Sequence, residues 1–248
     1  VLCTASMYEE KQNKQKKALL FLRDVTAIVE AENKIRKSAS ALEKQNKELD
    51  QFSYVVSHDL KAPLRAIANL SEWIKEDLGD NLSEEIKKNM DLLQGRVARM
   101  QALITGILEY SKVGRTEVPI EEVNVNILLS EIIDLFSPPT KFSIAIQATM
   151  PSLKAPKVLL QQVFSNLISN AIKYNDKEKG KIDVCYKEME HYYEFYVTDN
   201  GAGIDPQHQA KVFDIFQTLE AKDKVESTGI GLSIVKKIIE EQGGKIRI

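Results

Sequence analysis

The sequence predicts a multidomain α and α+β fold: an antiparallel helical hairpin that pairs with a second copy into a four-helix bundle, followed by an α/β sandwich. Three observations predict it. Ile28, Ala31, Ile35, Ser38, Leu42, Gln45, Leu49, Phe52 and Val56 advance in alternating steps of three and four, the a/d spacing of a helix that meets a partner helix. A second helical stripe, Ile86, Met90, Leu93, Val97, Met100, Ile104, Ile107 and Leu108, begins a few residues after the first helix ends at Gly79-Asp80. Beyond Val113-Gly114 the pattern changes to strand-like and helix-like segments in alternation.

The elements follow in order. VLCTASMY and KALLFLRDVT read as two strands separated by a charged turn, a pair too small to be stable alone and so expected to be the end of a larger sheet. The long helix that follows is weakened as a seam by Ser38 and Gln45 and is interrupted chemically by Pro63, which removes the donor to the Asp59 carbonyl and is expected to kink the helix beside His58 at about 3 kcal/mol. Glycine at 79 ends this helix and Ser83 is placed to cap the next. Helices joined so closely must lie antiparallel, and the hairpin leaves apolar surface that a second copy would cover. In the following domain IEEVNV, KFSIAIQATM, KIDVCYKEM and YYEFYVTD read as strands, the last two antiparallel. ILLSEIIDLF, a segment opening near Pro156, and TGIGLSIVKKIIEEQ read as helices, and GGKIRI reads as the start of a last strand.

Composition narrows the partners. The 248 residues are 43% hydrophobic and 28% charged, enough for one or two cores. Net charge is -2, which gives no reason to expect nucleic acid or an anionic membrane surface. Cys3 and Cys185 stand far apart without a Cys/His cluster, so neither a disulfide framework nor a zinc site is indicated and a reducing, cytoplasmic setting is expected. No run of 18 apolar residues occurs and the chain starts with Val, which reads as a piece of a longer protein whose remainder could hold a membrane anchor.

Several segments carry chemistry. In NLISNAIKY, Asn166, Asn170 and Lys173 share a helix face opposite the apolar Val163, Phe164, Leu167, Ile168 and Ile172. Two amide oxygens and an ammonium suit magnesium bridging phosphates, although two asparagines on a helix are more often only a solvated face. DNGAGI after a strand offers Asp199 to an exocyclic amine, with Gly201 and Gly203 expected at positive φ; alone it is an ordinary tight turn. STGIGL puts Gly229 and Gly231 at a helix start, capped by Ser227 or Thr228, where free N–H groups face a phosphate. A lone GxG is weak, and neither a dinucleotide fingerprint nor a GxxxxGK[ST] loop is present.

Taken together, the SHDLKAPL helix, NLxxNAxKY, DNGxGI, VFDIFQ and TGIGL, in this order, resemble the two catalytic modules of a sensor histidine kinase over about residues 28 to 248. HDLKAPLRAI is most similar to the phytochrome-like and PAS-linked members. The resemblance implies the end of a PAS-like sensor at 1–26, a coiled-coil linker and dimerising phosphotransfer hairpin at 27–112, and at 113–248 an ATP-binding α/β sandwich of the histidine-kinase type. It implies His58 as phosphoacceptor with Asp59 beside it, and Asn166 and Asn170 as magnesium-site residues. Lys173, Tyr174, Asp199, Gly201, Gly203, Gly229, Gly231 and Leu232 would be around ATP, Phe213 and Phe216 packed at the base of a mobile lid, TLEAKDKVES. It further implies a homodimer and a response-regulator receiver domain as partner.

Physical chemistry fits that role for His58. Imidazole is largely neutral at about pH 7, so one ring nitrogen can attack a phosphoryl group while a carboxylate holds the proton on the other. Neighbours on a helix point about 100° apart, so Asp59 must lean round to reach it. His58 falls off the a/d seam and is expected to face solvent, with Lys61 and Arg65 adding positive charge. Two other functions fit parts of the pattern: a gyrase-like ATPase that drives a conformational cycle, which the upstream histidine hairpin argues against, and a nucleotide-binding scaffold without chemistry.

Overall fold

The computed structural model describes residues 2–9, 16–79, 83–115, 118–218 and 228–248, with no account of the side chains of 2–23, 47, 49, 50 and 52–54. The chain forms two compact units, Val1–Phe52 and Ser53–Ile248.

In the first unit β1 (Leu2–Glu9) and β2 (Lys16–Arg23) pair antiparallel from Leu2↔Arg23 to Glu9↔Lys16. Helix α1 (Thr26–Leu78) then begins, its start fixed by Asp24, whose Oδ1 accepts from Thr26 N at 2.9 Å and from Thr26 Oγ1 at 2.6 Å. Those two bonds hold the Asp24 carboxyl below its ordinary range. Along this part of α1 the expected seam residues Ile28, Ile35 and Leu42 are exposed.

The second unit opens with the rest of α1 and with α2 (Glu84–Lys112). Gly79 at φ +46° ends α1, and Ser83 caps α2 by accepting from Ile86 N at 3.3 Å. Lys75 Nζ bonds Asp91 Oδ1 at 2.7 Å near the loop, while Leu64 and Ala68 of α1 pack with Val97 and Ile104 of α2, so the helices are antiparallel. Ser57, Leu64 and Ser71, each a heptad apart, are buried in this seam, and the Ser71 hydroxyl lacks a partner among the described residues. Helix α1 continues through Pro63. Pro63 removes one bond from a helix whose next residues, Leu64 and Ala68, are held against α2.

The remainder is an α/β sandwich. Strand β3 (Glu121–Asn124) pairs antiparallel with β5 (Ser152–Ala155), and β4 (Phe142–Ile146) runs parallel to β6 (Gly180–Glu188), which is antiparallel to β7 (Tyr193–Asp199). The sheet orders are β3-β5 and β4-β6-β7. Helices α3 (Val125–Phe136) and α4 (Lys157–Lys173) cover one sheet face with Leu128, Leu129, Ile132, Phe164 and Ile168 around Val184. Phe164 meets Phe195 of β7 edge-on, with ring centroids 5.5 Å apart. Fully burying a side chain of this size contributes about 1.5–3 kcal/mol, which makes α4 a rigid platform.

After β7 come the short α5 (Pro206–Gln209), a 3₁₀ turn (Lys211–Phe213) and α6 (Gly231–Glu241). Val163 of α4 packs with Ile230 just before α6, with Ile234, Val235 and Ile238 of α6 and with Val113 at the end of α2. The expected last strand at 243–248 does not form; Arg247 instead bonds the Glu194 carboxylate on β7. Residues 219–227, the core of the expected lid, and the candidate cap Ser227 lie outside the described residues.

Candidate functional site

His58 projects from α1 into solvent. Its Nδ1 lies 3.2 Å from Asp59 Oδ1, with the two side chains 73% and 71% exposed, so the carboxylate does reach round the helix to the ring. Arg65 is exposed and Lys61 half-buried on the same helix.

The other candidates gather on α4 and at the start of α6. Because α4 turns its apolar face to the sheet and to α6, Asn166, Asn170 and Lys173 are left on the remaining face. With Ser169 and Tyr174 they line a cavity of about 590 Å³ whose far side is Thr228, Gly229, Ile230, Gly231 and Leu232. The Asn166 amide is fixed: Nδ2 donates to the Gln162 carbonyl at 2.8 Å, leaving Oδ1 against Gly231. A Cβ at Gly231 would fall 2.6 Å from that oxygen, so the glycine is required by close approach of α6 to α4.

Gly229 has φ +68°, and its carbonyl accepts from Phe216 N at 2.9 Å. Phe216 itself is at φ +68° and half exposed, and its backbone closes the neck. Val212 is the buried residue there. Thr228 Oγ1 accepts from Ile230 N at 3.4 Å, a local turn ahead of α6 in place of the expected helix cap.

Asp199, Gly201 and Gly203 do not line this cavity. Asp199 is exposed and its Oδ1 accepts from Gly201 N at 2.8 Å. Gly203 has φ +71°, but Gly201 does not share it. Gly201 is needed for space: a Cβ there would sit 2.8 Å from Asp199 Oδ1 and 3.3 Å from the Tyr174 carbonyl, so this loop abuts the Tyr174 end of the cavity. Its conformation is held by two residues that the sequence reading assigned no role. Asn200 Oδ1 accepts from the buried Asn175 at 2.9 Å and from Lys181 N at 2.8 Å, and Asn200 Nδ2 donates to the Lys179 carbonyl at 3.0 Å.

The cavity's third wall was also missed. Ala98, Gln101, Ala102, Thr105, Gly106 and Glu109 of α2 face it. Gln162, one turn before Asn166 on α4, donates to Glu109 Oε2 at 3.2 Å, and its i−4 spacing was the sequence signal available for it.

Comparison with known proteins agrees with this geometry. Residues 48–116 match the His Kinase A (phospho-acceptor) domain, and residues 156–248 match the histidine kinase-, DNA gyrase B-, and HSP90-like ATPase family. The chain therefore belongs to the sensor histidine kinases through both modules. Cyanobacterial phytochrome B of Nostoc sp. is 39% identical over 210 residues, covering 83% of this chain and 28% of that protein. The methanogenesis regulatory histidine kinase FilI of Methanothrix harundinacea is 31% identical over 234 residues, covering 92% and 26%. The chain thus spans less than a third of the length of these relatives. Among solved structures, histidine kinase ThkA in complex with response regulator protein TrrA is similar at 26% identity and TM-score 0.53, over 99% of this chain and 70% of that one. Full-length ShkA in complex with AMPPNP shares the fold at 21% identity and TM-score 0.59, over 78% and 41%.

Proposed function

We propose that this chain autophosphorylates His58 from Mg-ATP and passes the phosphoryl group to an aspartate of a response regulator. The observation that carries the reading is the exposed imidazole with Asp59 at 3.2 Å on Nδ1, in one chain with a nucleotide-sized cleft between an asparagine-bearing helix and a helix N-terminus. Asp59 accepts a hydrogen bond from Nδ1–H and so fixes the tautomer, which leaves the Nε2 lone pair free. Nε2 attacks the γ-phosphorus, the bond from phosphorus to the β,γ-bridging oxygen breaks, and ADP leaves with that electron pair. The Nδ1 proton passes toward Asp59 as the ring gains positive charge.

The ATPase module supplies position and electrostatics. The N–H groups at the start of α6, next to Gly229 and Gly231, face the phosphates, and Lys173 adds charge at the cavity wall. Asn166 and Asn170 fit magnesium: their amide oxygens are hard donors, and one or two protein ligands completed by phosphate oxygens and water match its habits. When bound, the metal would neutralise charge on the β- and γ-phosphates. Asp199 and the Gly201–Gly203 loop, abutting Tyr174, are assigned to the adenine end.

Two partners follow. On α1 the apolar Leu60, Ile67, Leu70 and Ile74, and on α2 Ile86, Leu93, Met100 and Ile107, are exposed at coiled-coil spacing and are assigned to a homodimeric four-helix bundle. A related kinase crystallised with a response regulator supports a receiver domain as the phosphoryl acceptor. Residues 1–26 are read as the end of a PAS-like sensor, 27–112 as linker and phosphotransfer hairpin, and 113–248 as the ATP-binding domain. Among the described residues no helix is long and apolar enough to cross a membrane.

Incubation with γ-labelled ATP tests the reading. Acid-labile, alkali-stable label that disappears in His58→Gln is the expected result. Release of free phosphate without label would make this a gyrase-like ATPase, and neither would leave a nucleotide-binding scaffold.

A further inference from the structure

Helix α2 does two jobs. Its inner face closes the hairpin through Val97 and Ile104, and its other face walls the cavity of the ATPase domain. The contact is fitted. Gly106 leaves room for the buried Ile230, whose Cδ1 would be 2.9 Å from a Cβ at that glycine. Lys237 of α6 donates to the Tyr110 carbonyl at 2.8 Å, with its ammonium 4.4 Å from the centre of the Tyr110 ring. Docked in this way, α2 presents Glu109 to the cavity, hydrogen-bonded to Gln162 one turn from Asn166. Among the described residues, the charged side chains lining the cavity are Glu109 and Lys173, and Lys173 lies two turns beyond Asn166 along α4, at the Tyr174 end.

We propose that Glu109 sets nucleotide binding and docking on α2 against each other: the docked domain holds a carboxylate at the end of the cleft that a nucleotide's phosphates must occupy. ATP and its magnesium complex are both anionic, so the repulsion has the same sign for each. By reciprocity, whatever docking costs the nucleotide, the nucleotide costs docking, so loading the cleft loosens the domain from α2 and frees it to move toward His58. This rests on the reading of the cavity as a nucleotide site.

The experiment measures binding of a non-hydrolysable ATP analogue to the full chain by calorimetry, with and without magnesium. Glu109→Gln keeps a side chain able to bond Gln162 and removes the charge. It is expected to bind both forms tighter by about threefold to tenfold, the range for one unit charge several Å from another in partly solvated surroundings. Lys237→Met, which removes the bond to Tyr110, is expected to tighten binding as well, and the double variant to gain less than the sum because both act through one equilibrium. Hydrogen exchange in residues 98–110 should rise when the analogue binds wild type. Unchanged affinity in both single variants overturns the proposal, and so does exchange in 98–110 that the analogue leaves unaltered. Weaker binding of Glu109→Gln confined to the magnesium form also overturns it and makes Glu109 a metal ligand. Wild type that binds no analogue removes the nucleotide reading itself, an outcome distinct from wild-type binding that Glu109→Gln fails to change.

Discussion

Gly231→Ala puts the α4–α6 junction to a direct test. The added methyl would meet Asn166 Oδ1 at 2.6 Å, well inside contact distance, on a short side chain already pinned by its bond to the Gln162 carbonyl. Relief requires the amide to swing away and give up that bond, worth about 0.5–1.5 kcal/mol, or α6 to shift, an overpacking cost of about 1–3 kcal/mol. Replacing glycine near a helix start returns at most about 1 kcal/mol. The expected net loss is about 1 kcal/mol, a fall of about 2–4 °C in the melting temperature of a unit this size. Nucleotide affinity should fall with it, because Asn166 no longer points into the cleft. Thermal unfolding and calorimetric titration with the ATP analogue measure the two effects. Adding Asn166→Ala removes the obstructing amide, so the double variant should be little worse than Asn166→Ala alone. If Gly231→Ala melts and binds as wild type, or if the two substitutions are simply additive, Asn166 and Gly231 are not in contact and the account of the cleft fails.

Three further outcomes are expected. Leu93→Lys with Met100→Lys should convert a dimer to monomers at micromolar concentration in analytical ultracentrifugation while the chain keeps its helical circular dichroism, since both side chains are exposed within one protomer; an unchanged sedimentation coefficient would remove this stripe from the interface. Ala62 lies one turn beyond His58 and is exposed, and a methyl cannot orient water, so wild type should dephosphorylate its regulator slowly and Ala62→Thr faster, measured as decay of labelled regulator with ADP in a His58→Ala background; rapid wild-type decay there refutes it. The hydrogen bond from Lys75, and then its charge, hold the Asp91 carboxyl below its ordinary range, so the pair stabilises the hairpin above the unfolded carboxyl's titration and that contribution fades as pH falls through the lower folded value. Melting curves of wild type and Asp91→Asn should therefore differ at neutral pH and converge in acid, and a constant gap would count against the pairing.

The helices were legible because their signals are local. The 3/4 spacing, Gly79 at positive φ and the Ser83 cap are each decided within a turn or two of chain, and the shared face of Asn166, Asn170 and Lys173 needs only a regular helix. The losses lie where distant segments meet. Ser152–Ala155 is a four-residue strand between Pro151 and Pro156, too short for its polar–apolar alternation to stand out; its pairing with β3 makes it a strand. The parallel match of β4 with β6 passes over β5 and α4 and leaves no mark in either segment. Gly201 was assigned the wrong reason because conformational freedom and close approach both select glycine, and only the position of Asp199 and Tyr174 tells them apart. On α2, Ala98, Gln101, Ala102 and Thr105 read as an ordinary solvated face, and nothing in their own spacing reveals the cavity they wall.

The neck between Phe216 and Gly229 has an evolutionary consequence. One backbone bond of 2.9 Å fixes where the chain leaves the 3₁₀ turn and where it re-enters α6, and its side-chain demand falls on the anchor Gly229, where a Cβ would lie 2.6 Å from the Gln217 carbonyl. The stretch strung between those two points can therefore drift in composition and change in length while the phosphate end of the cleft keeps its form. Doubling such a loop costs only about 0.6 kcal/mol in closure entropy. Divergent descendants of this sequence should accordingly vary most in that stretch, and grafting a relative's version onto the same two anchor residues should leave the fold intact.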